Sequence, residues 1–375
     1  MKLPIPRWLS KKTIDRLWRN TTPPRAAISS PSARIHQELR RLSPLRAYST
    51  GNNLTQWQAS GRSLLATLLG LSEPWEKKLN KSTSVWEKDL GYCVARKICL
   101  EYDDGTRIPV YLATPGDGII PKGTIICLQG HTSGMHVSLG LDSSEEHLFD
   151  TGYKSLNIAS QAIKEGYRVV CLEQESLGER REQTLRKIAP HPCHDAAMHR
   201  LLLGQTLMAV RVADVFNVID YLESNDLVEP PLGVMGNSLG GTVSMYAACL
   251  NHSIHFAVLS SCVSQLEESL FSIYHCADLY IPRLSLYFDT SDIIGLMACK
   301  PLILATGVND PIFPLIGFRK TLTAVRRIYH EADQLQRVTA VVGHGGHQFY
   351  GSLIFPELDR VLRNWNLAEH NRAFL

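Results

Sequence analysis

From about residue 120 onward, short apolar segments alternate with stretches whose apolar residues recur at helical spacing. The apolar segments are uninterrupted, which is typical of strands buried on both faces of a parallel sheet. Before them, Ala95–Tyr102 and Ile108–Thr114 flank Asp103-Asp104-Gly105, a β-hairpin signal. The pattern predicts an α/β fold with a doubly wound, mostly parallel sheet and an antiparallel hairpin in front of it.

Two sets of elements are predicted from these periodicities. The predicted strands of the parallel sheet are Thr124–Leu128, Tyr167–Leu172, Leu232–Met235, Phe256–Ser260, Pro301–Thr306 and Val338–Val342. The predicted helices are Trp57–Leu71, Ile158–Gly166, Ala196–Leu222 (in one or two parts), Leu239–Leu250, Thr321–Leu335 and Leu358–Asn366. Residues 263–298 interrupt the alternation, carry several aromatic residues, and are interpreted as an insertion that covers a pocket.

The composition is that of a globular protein. Of 375 residues, 44% are hydrophobic and 20% are charged, which excludes disorder over most of the chain. No stretch approaches 18 uncharged apolar residues, so we expect no transmembrane segment. The net charge of +3 is too small to indicate a nucleic-acid partner. We predict one α/β domain over residues 51–375, with an insertion at about residues 263–298, preceded by a basic extension over residues 1–50.

The N-terminal extension carries most of the basic character. Residues 1–50 contain eleven Lys or Arg and only two acidic residues. Apolar residues between Trp8 and Trp18 fit one helical face. Three interpretations stay open: an extension that packs on the domain or is solvated, weak contact with an anionic membrane surface, or organelle targeting. We expect a cytoplasmic protein, with an organelle as the alternative, and the pattern predicts no oligomeric state.

The cysteines and histidines do not form a recognised metal motif. The nine cysteines include no CxxC pair, so we expect free thiols in a reducing compartment. His191, Cys193, His194 and His199 lie close together along the chain but lack HExxH or paired-cysteine spacing. They are interpreted as loop or pocket residues, as is the dipeptide His275-Cys276. The sequence predicts neither a metal site nor a cofactor.

The segment Gly236-Asn237-Ser238-Leu239-Gly240-Gly241 matches the pattern G-x-S-x-G. A short apolar strand precedes it and a helix of small and apolar residues follows, which is the context of a nucleophile elbow. Such a turn presents the serine hydroxyl in a strained conformation. Because side chains at the flanking positions would collide across the turn, glycine is needed there. The pattern predicts Ser238 as a nucleophile.

A serine nucleophile requires a base and a residue that orients the base. Asp310 follows the predicted strand Pro301–Thr306, and His347 follows Val338–Val342. Their chain order after Ser238 is the order expected for an α/β-hydrolase, and both lie where parallel strands end. His344 is the competing candidate for the base. We favour His347 because Gly345-Gly346 before it suits a loop that re-enters the site.

Stabilising an oxyanion requires two N–H donors. The amide of Leu239, directly after the nucleophile, is one predicted donor. The second is assigned to the backbone N–H of His131 in Leu128–Gly134, with Thr132 as the alternative.

Residues from about 55 to 365 resemble α/β-hydrolases of the acetylxylan-esterase-related, dienelactone-hydrolase-like group. The similar segments are LQGHTSG at 128–134, EGYRVVCLEQESLGER at 165–180, GNSLGG at 236–241, YHCADLYIP at 274–282, ATGVNDPIFP at 305–314 and GGHQFYG at 345–351. Gln129 replaces a usual histidine, and Glu173-Gln174 replaces a usual Pro-Asp. The resemblance implies a Ser238–Asp310–His347 triad.

Taken together, these residues predict a serine hydrolase that cleaves small carboxylic esters through an acyl-enzyme. The alternative is the same triad acting on a thioester, a lactone or a C–C bond. A third hypothesis is a binding protein that retains the fold without catalysis.

Overall fold

The structure is a computed structural model that describes residues 31–71, 75, 77–116, 118–147, 156–182 and 193–363. The segment between Trp8 and Trp18 and the candidate ligand His191 lie outside these residues. Among the described residues, no single helix has both the length and the hydropathy to cross a membrane. Two consecutive helices pass the same test only when they are taken together, and a 96° bend separates them: His194–Leu202 and Leu207–Ser224.

Nine strands of the described chain form one sheet in the order β1-β2-β3-β5-β4-β6-β7-β8-β9. The strands are β1 (Leu79–Asp89), β2 (Cys93–Tyr102), β3 (Arg107–Pro115), β4 (Thr124–Leu128), β5 (Arg168–Leu172), β6 (Leu232–Asn237), β7 (Phe256–Ser260), β8 (Leu302–Gly307) and β9 (Val338–Gly343). The first three pair antiparallel, and β3 pairs antiparallel with β5. The strands from β5 to β9 are parallel. The predicted α/β architecture is confirmed.

Helices cover both faces of the sheet. They are α1 (Pro31–Leu39), α2 (Leu54–Leu69), α3 (Ile158–Lys164), α4 (His194–Leu202), α5 (Leu207–Ser224), α6 (Leu239–Leu250), α7 (Leu284–Tyr287), α8 (Thr290–Gly295), α9 (Leu315–Glu331) and α10 (Gly351–Leu362). Helices α3 and α10 pack on one face, and α2, α5, α6, α8 and α9 on the other. Burial on both faces explains why the parallel strands are continuous apolar runs.

The sequence-based prediction was wrong at three places. Strand β1 was missed because its side chains are mostly exposed and polar, so no alternation marks it. The last helix runs over Gly351–Leu362 rather than Leu358–Asn366; Pro356, a residue that usually interrupts or kinks a helix, lies inside it. Helix α9 spans Leu315–Glu331 rather than Thr321–Leu335.

Residues 263–298 connect β7 to β8 and contain α7 and α8. They contribute to the main core, since Phe288 and Ile294 are fully buried. The chain just before α2 is held against this segment: Arg46 N donates to Tyr287 O at 2.9 Å, and Tyr48 N donates to Asp292 Oδ1 at 2.9 Å. The described part of the N-terminal extension therefore packs on the segment between β7 and β8.

The parallel strands place the loops of interest at one edge of the sheet. The loop after β4 (129–134), the turn between β6 and α6, the loop after β8 and the loop after β9 all follow carboxyl ends. Open α/β sheets bind ligands at this edge.

The close approach of α6 to β4 leads to a testable prediction on stability. A Cβ atom added to Gly240 would lie 1.9 Å from the carbonyl oxygen of Leu128 in the sheet centre. We expect Gly240→Ala to lower the free energy of unfolding by about 3 kcal/mol or more, because backbone on both sides prevents relaxation. Urea denaturation measures this change. Gly116→Ala is the matched control, since nothing lies within 4 Å of its added Cβ. Equal stabilities of the two variants would contradict the packing argument.

Candidate active site

Ser238 lies at the tight turn between β6 and α6. Its backbone has φ 58° and ψ −124°, a left-handed φ that a residue with a side chain rarely adopts. Its amide donates to Ser260 O at 2.8 Å, which ties the turn to the neighbouring strand. A Cβ at Gly236 would lie 2.2 Å from the backbone of Gly240, so glycine is required there. The predicted nucleophile elbow is present in the backbone.

Asp310 and His347 are in direct contact. Nδ1 of His347 lies 2.9 Å from Oδ2 and 3.1 Å from Oδ1 of Asp310. The carboxylate also accepts hydrogen bonds from the amides of Ile312 and Phe313, each at 2.9 Å. Burial by itself would raise the pKa of Asp310, but the hydrogen bonds from His347 and these amides outweigh it and hold the pKa below its usual value. Asp310 is therefore an anion that fixes the imidazole.

The choice between the two histidines of the last loop is decided by position. His344 is exposed, whereas His347 contacts Asp310 and its ring stacks on Phe313 at a centroid distance of 6.0 Å. Since Nδ1 faces the carboxylate, Nε2 is the ring nitrogen that remains for proton transfer. The structure brings His347, and not His344, into the arrangement that the sequence predicted.

A cavity of about 230 Å³ contains both Ser238 and His347 in its wall. Its other wall residues come from the loop after β4, the end of β6, the start of α3 with the residues before it, and the loops after β8 and β9. They are Gln129, Gly130, His131, Thr132, Leu156, Ile158, Asn237, Ile312 and Gln348. A substrate in this cavity would contact the serine, the imidazole and the predicted oxyanion loop together.

The two predicted oxyanion donors flank this cavity. Leu239 is the first residue of α6, so its amide has no acceptor within the helix. A Cβ on Gly130, next to His131, would lie 3.1 Å from the Cβ of Ser238, which shows how closely the loop approaches the nucleophile. The positive end of the α6 dipole adds to the stabilisation of negative charge at this point.

The loop after β4 is held by a buried polar network that the sequence reasoning missed. Nε2 of Gln129 donates to Glu173 Oε1 at 2.9 Å, and Nε2 of Gln174 donates to Gln129 O at 2.7 Å. The amide of Met135 donates to the same carboxylate of Glu173. The positions that depart from the group's usual residues, Gln129 and Glu173-Gln174, are thus bonded to each other. Because these positions differ from the usual residues together, their joint replacement is the sequence signal that could have revealed the contact.

Glu173 carries an unusual protonation equilibrium. It is only 1% exposed, and burial raises the pKa of its carboxyl group to about 7, against the opposing effect of the amides of Met135 and Glu179. The loop is therefore fixed by a carboxyl group that gains charge near neutral pH.

His131 makes side-chain contacts in addition to the backbone role predicted for it. Its Nε2 lies 3.0 Å from Oδ2 of the buried Asp278, which also accepts from Arg211 Nη1 at 2.5 Å. Burial alone would lower the pKa of His131, but the hydrogen bond with Asp278 raises it to about 9. Arg211 and His131 in turn hold the pKa of Asp278 well below its usual value, against the effect of burial.

Of the cysteine and histidines singled out between residues 191 and 199, His191 lies outside the described residues, and the other three do not form one group. His194 lies against its neighbour Asp195, with 3.4 Å between Nδ1 and Oδ1. Cys193 instead faces His131, Cys276 and Asp278. Nε2 of His275 and Oγ of Ser269 form a hydrogen bond of 2.9 Å.

Comparisons with known proteins agree with the architecture. No protein-family model matches the chain. The chain is 24% identical over 283 residues to "Putative hydrolase YtaP" of Bacillus subtilis (strain 168). The aligned region covers 72% of this chain and 88% of that protein.

Solved structures show the same fold. A "putative acetyl xylan esterase" from Bacteroides fragilis NCTC 9343 superposes with a TM-score of 0.71 and 16% identity over 89% of this chain and 96% of its own. A glucuronoyl esterase from Solibacter usitatus gives a TM-score of 0.62 and 15% identity over 87% of this chain and 98% of its own. The chain shares the fold of these two esterase structures, and the predicted likeness to acetyl xylan esterases is confirmed at the level of the fold.

The protonation of Glu173 leads to a prediction on pH and stability. Because its folded pKa is raised from 4.5 to about 7, the group favours folding below pH 4.5, and this contribution is lost as the pH rises through 7. Glu173→Gln keeps an acceptor and carries no charge. We expect its free energy of unfolding, relative to wild type, to increase by up to about 3 kcal/mol between pH 5 and 8.

Chemical denaturation at a series of pH values tests this expectation. The control is Glu223→Gln, which changes an exposed glutamate on α5 and should show a nearly constant difference from wild type. A difference for Glu173→Gln that stays flat or decreases with pH would show that Glu173 is not destabilised as an anion.

Proposed function

We propose that this protein is a serine hydrolase that cleaves carboxylic esters of small molecules through Ser238, His347 and Asp310. The observation that carries the proposal is the contact of Asp310 with His347 beside a cavity whose wall also contains Ser238. The strained backbone of Ser238 and the fold shared with esterases support it. Neither a metal nor an organic cofactor takes part in the proposed reaction.

The mechanism follows from the positions of these groups. Asp310 accepts the Nδ1 proton of His347 in a hydrogen bond, which leaves Nε2 as the base. His347 takes the hydroxyl proton as Ser238 Oγ attacks the ester carbonyl. The resulting oxyanion is bound by the amides of Leu239 and His131. His347 then protonates the departing alcohol, and an acyl-enzyme remains. Water, activated by His347, releases the acid and restores the serine.

The size of the cavity favours a short acyl group. Pockets that hold drug-sized ligands have volumes of roughly 300–1,000 Å³, whereas this cavity has about 230 Å³. Its wall combines amide side chains with Leu156, Ile158 and Ile312, so it offers hydrogen bonds beside a limited apolar surface. The names of the structural neighbours point to esters of sugars or polysaccharides as the substrate class.

Replacing the nucleophile tests the reaction directly. Ser238→Ala should lower kcat for p-nitrophenyl acetate by on the order of 10⁶, because the covalent route is lost. Labelling by a fluorophosphonate, followed by intact mass, should likewise disappear. Ser253→Ala, in the loop after α6, is the matched control and should be labelled like wild type. If Ser238→Ala retained more than about a tenth of the wild-type activity, Ser238 would not be the nucleophile.

Esters of increasing chain length test the substrate class. We expect kcat/KM to be highest for p-nitrophenyl acetate and to fall at least about tenfold by the octanoate, because the cavity cannot enclose the longer chain. Values that rise with chain length would contradict the short-acyl proposal. Labelling of Ser238 without turnover of any ester would instead favour the same triad acting on a thioester, a lactone or a C–C bond. An unlabelled, folded protein would favour a binding function.

A further inference from the structure

Four side chains with metal-binding chemistry converge behind the loop after β4. They are His131, Cys193, Cys276 and Asp278, and one ligand atom from each lies within 4.8 Å of all the others. The sulfur atoms of Cys193 and Cys276 are 2.8 Å apart, and Cys193 Sγ lies 3.7 Å from His131 Nε2. Three of the four residues are buried. Separate parts of the chain contribute them: the loop after β4, the residue before α4, and the segment between β7 and β8.

The donor set is typical of a tetrahedral zinc site. Zinc binds thiolates at ~2.3 Å and imidazole or carboxylate at ~2.0–2.2 Å, usually with four ligands when the site is structural. Ligand atoms of such a tetrahedron lie roughly 3.3–3.8 Å from one another. An ion at the centre would separate the two sulfurs by about 1 Å and draw the widest pairs together, with no change in which groups face the centre.

The charges and hydrogen bonds around Asp278 also favour a cation. Its side chain and that of Arg211 are both fully buried. Oδ2 of Asp278 accepts from Arg211 and His131, whereas Oδ1 is buried and has no hydrogen-bond partner among the described residues. Such an oxygen is costly to bury unless something binds it. With the ion bound and the protons of the thiols and of the His131 imidazole released, two thiolates and this carboxylate would carry three negative charges, Arg211 would supply one positive charge, and a divalent ion would neutralise the remainder.

We propose that His131, Cys193, Cys276 and Asp278 bind one divalent cation of the zinc class as a structural site. Binding releases the protons of the two thiols and of the imidazole Nε2, with no oxidation or reduction. A disulfide between the two cysteines would use only half of the converging groups. The ion satisfies all four groups.

The position of the site gives it a consequence for the active site. His131 contributes its side chain to the ion and its backbone amide to the oxyanion, so the ion would fix the donor loop to the start of α4 and to the segment between β7 and β8. This consequence rests on the proposed function, whereas ion binding does not.

Metal content and cobalt spectroscopy of the full chain test the proposal. The protein is reduced, stripped with a chelator, and reconstituted with Zn²⁺ or Co²⁺. By elemental mass spectrometry, we expect about one ion per chain. In the Co²⁺ protein, we expect a thiolate-to-cobalt charge-transfer band together with the strong visible bands of tetrahedral cobalt. Both should be lost in Cys193→Ser/Cys276→Ser. They should persist in the matched control Cys99→Ser/Cys299→Ser, which changes two partly exposed cysteines elsewhere.

Several results would overturn the proposal. These are less than about one tenth of an ion per reconstituted wild-type chain, cobalt bands that survive in Cys193→Ser/Cys276→Ser, or a Cys193–Cys276 disulfide in place of the ion. If the double variant does not fold by circular dichroism, Cys276→Ser alone retains three donors and should show about half of the charge-transfer intensity. An unchanged spectrum in that variant also rejects the site.

The two proposals fail separately. Fluorophosphonate labelling of Ser238 is measured on the same samples. Labelling without ion binding rejects the metal site alone, and ion binding without labelling or ester turnover rejects the proposed hydrolase alone.

Discussion

The strained backbone of Ser238 is the constraint on which the rest of the candidate site depends. A residue other than glycine at φ 58° costs of order 1–3 kcal/mol, and it persists only where the surroundings leave no alternative. Here β4 and β6 are adjacent in the sheet, and the start of α6 lies close to both: a Cβ on Gly240 would collide with Leu128 of β4, and a Cβ on Gly236 of β6 would collide with Gly240. The packing of the sheet centre therefore holds the half-buried Ser238 at the wall of the cavity, and the loops after β4, β8 and β9 need only reach it.

The two flanking loops are fixed by different physical means. Asp310 is held by backbone amides and remains an anion, which suits a group that orients an imidazole. The loop after β4 is fixed by Glu173, and burial raises the pKa of its carboxyl group to about 7 even though amides and Gln129 donate hydrogen bonds to it. A carboxyl group that is only partly ionised next to the proposed oxyanion donors would avoid placing a full negative charge where the proposed reaction develops negative charge, since the Coulomb repulsion would oppose it.

The sequence predicted the parallel sheet because burial on both faces imposes continuous apolar runs. Strand β1 was not predicted, because backbone hydrogen bonds pair it with β2 and its side chains are mostly exposed, so the pairing imposes no hydrophobic pattern on its sequence. Asp310 and His347 could be placed because strand ends share one edge. The Gln129–Glu173 contact was signalled only by the joint departure of both positions from the group's usual residues. The group around Cys193 carried no such signal, because Cys193 and Cys276 are 83 positions apart and meet only through the tertiary fold.

The group around Cys193 also illustrates why spacing along the chain is a poor guide to metal ligands outside compact motifs. His194 and His199 follow Cys193 on α4, but a helix that starts at residue 194 directs successive side chains to different faces. The residues that do meet Cys193 belong to a loop of the sheet and to the segment between β7 and β8, which the core holds in place through Phe288 and Ile294. The burial of that segment thus determines which donors can gather behind the loop that carries the His131 amide.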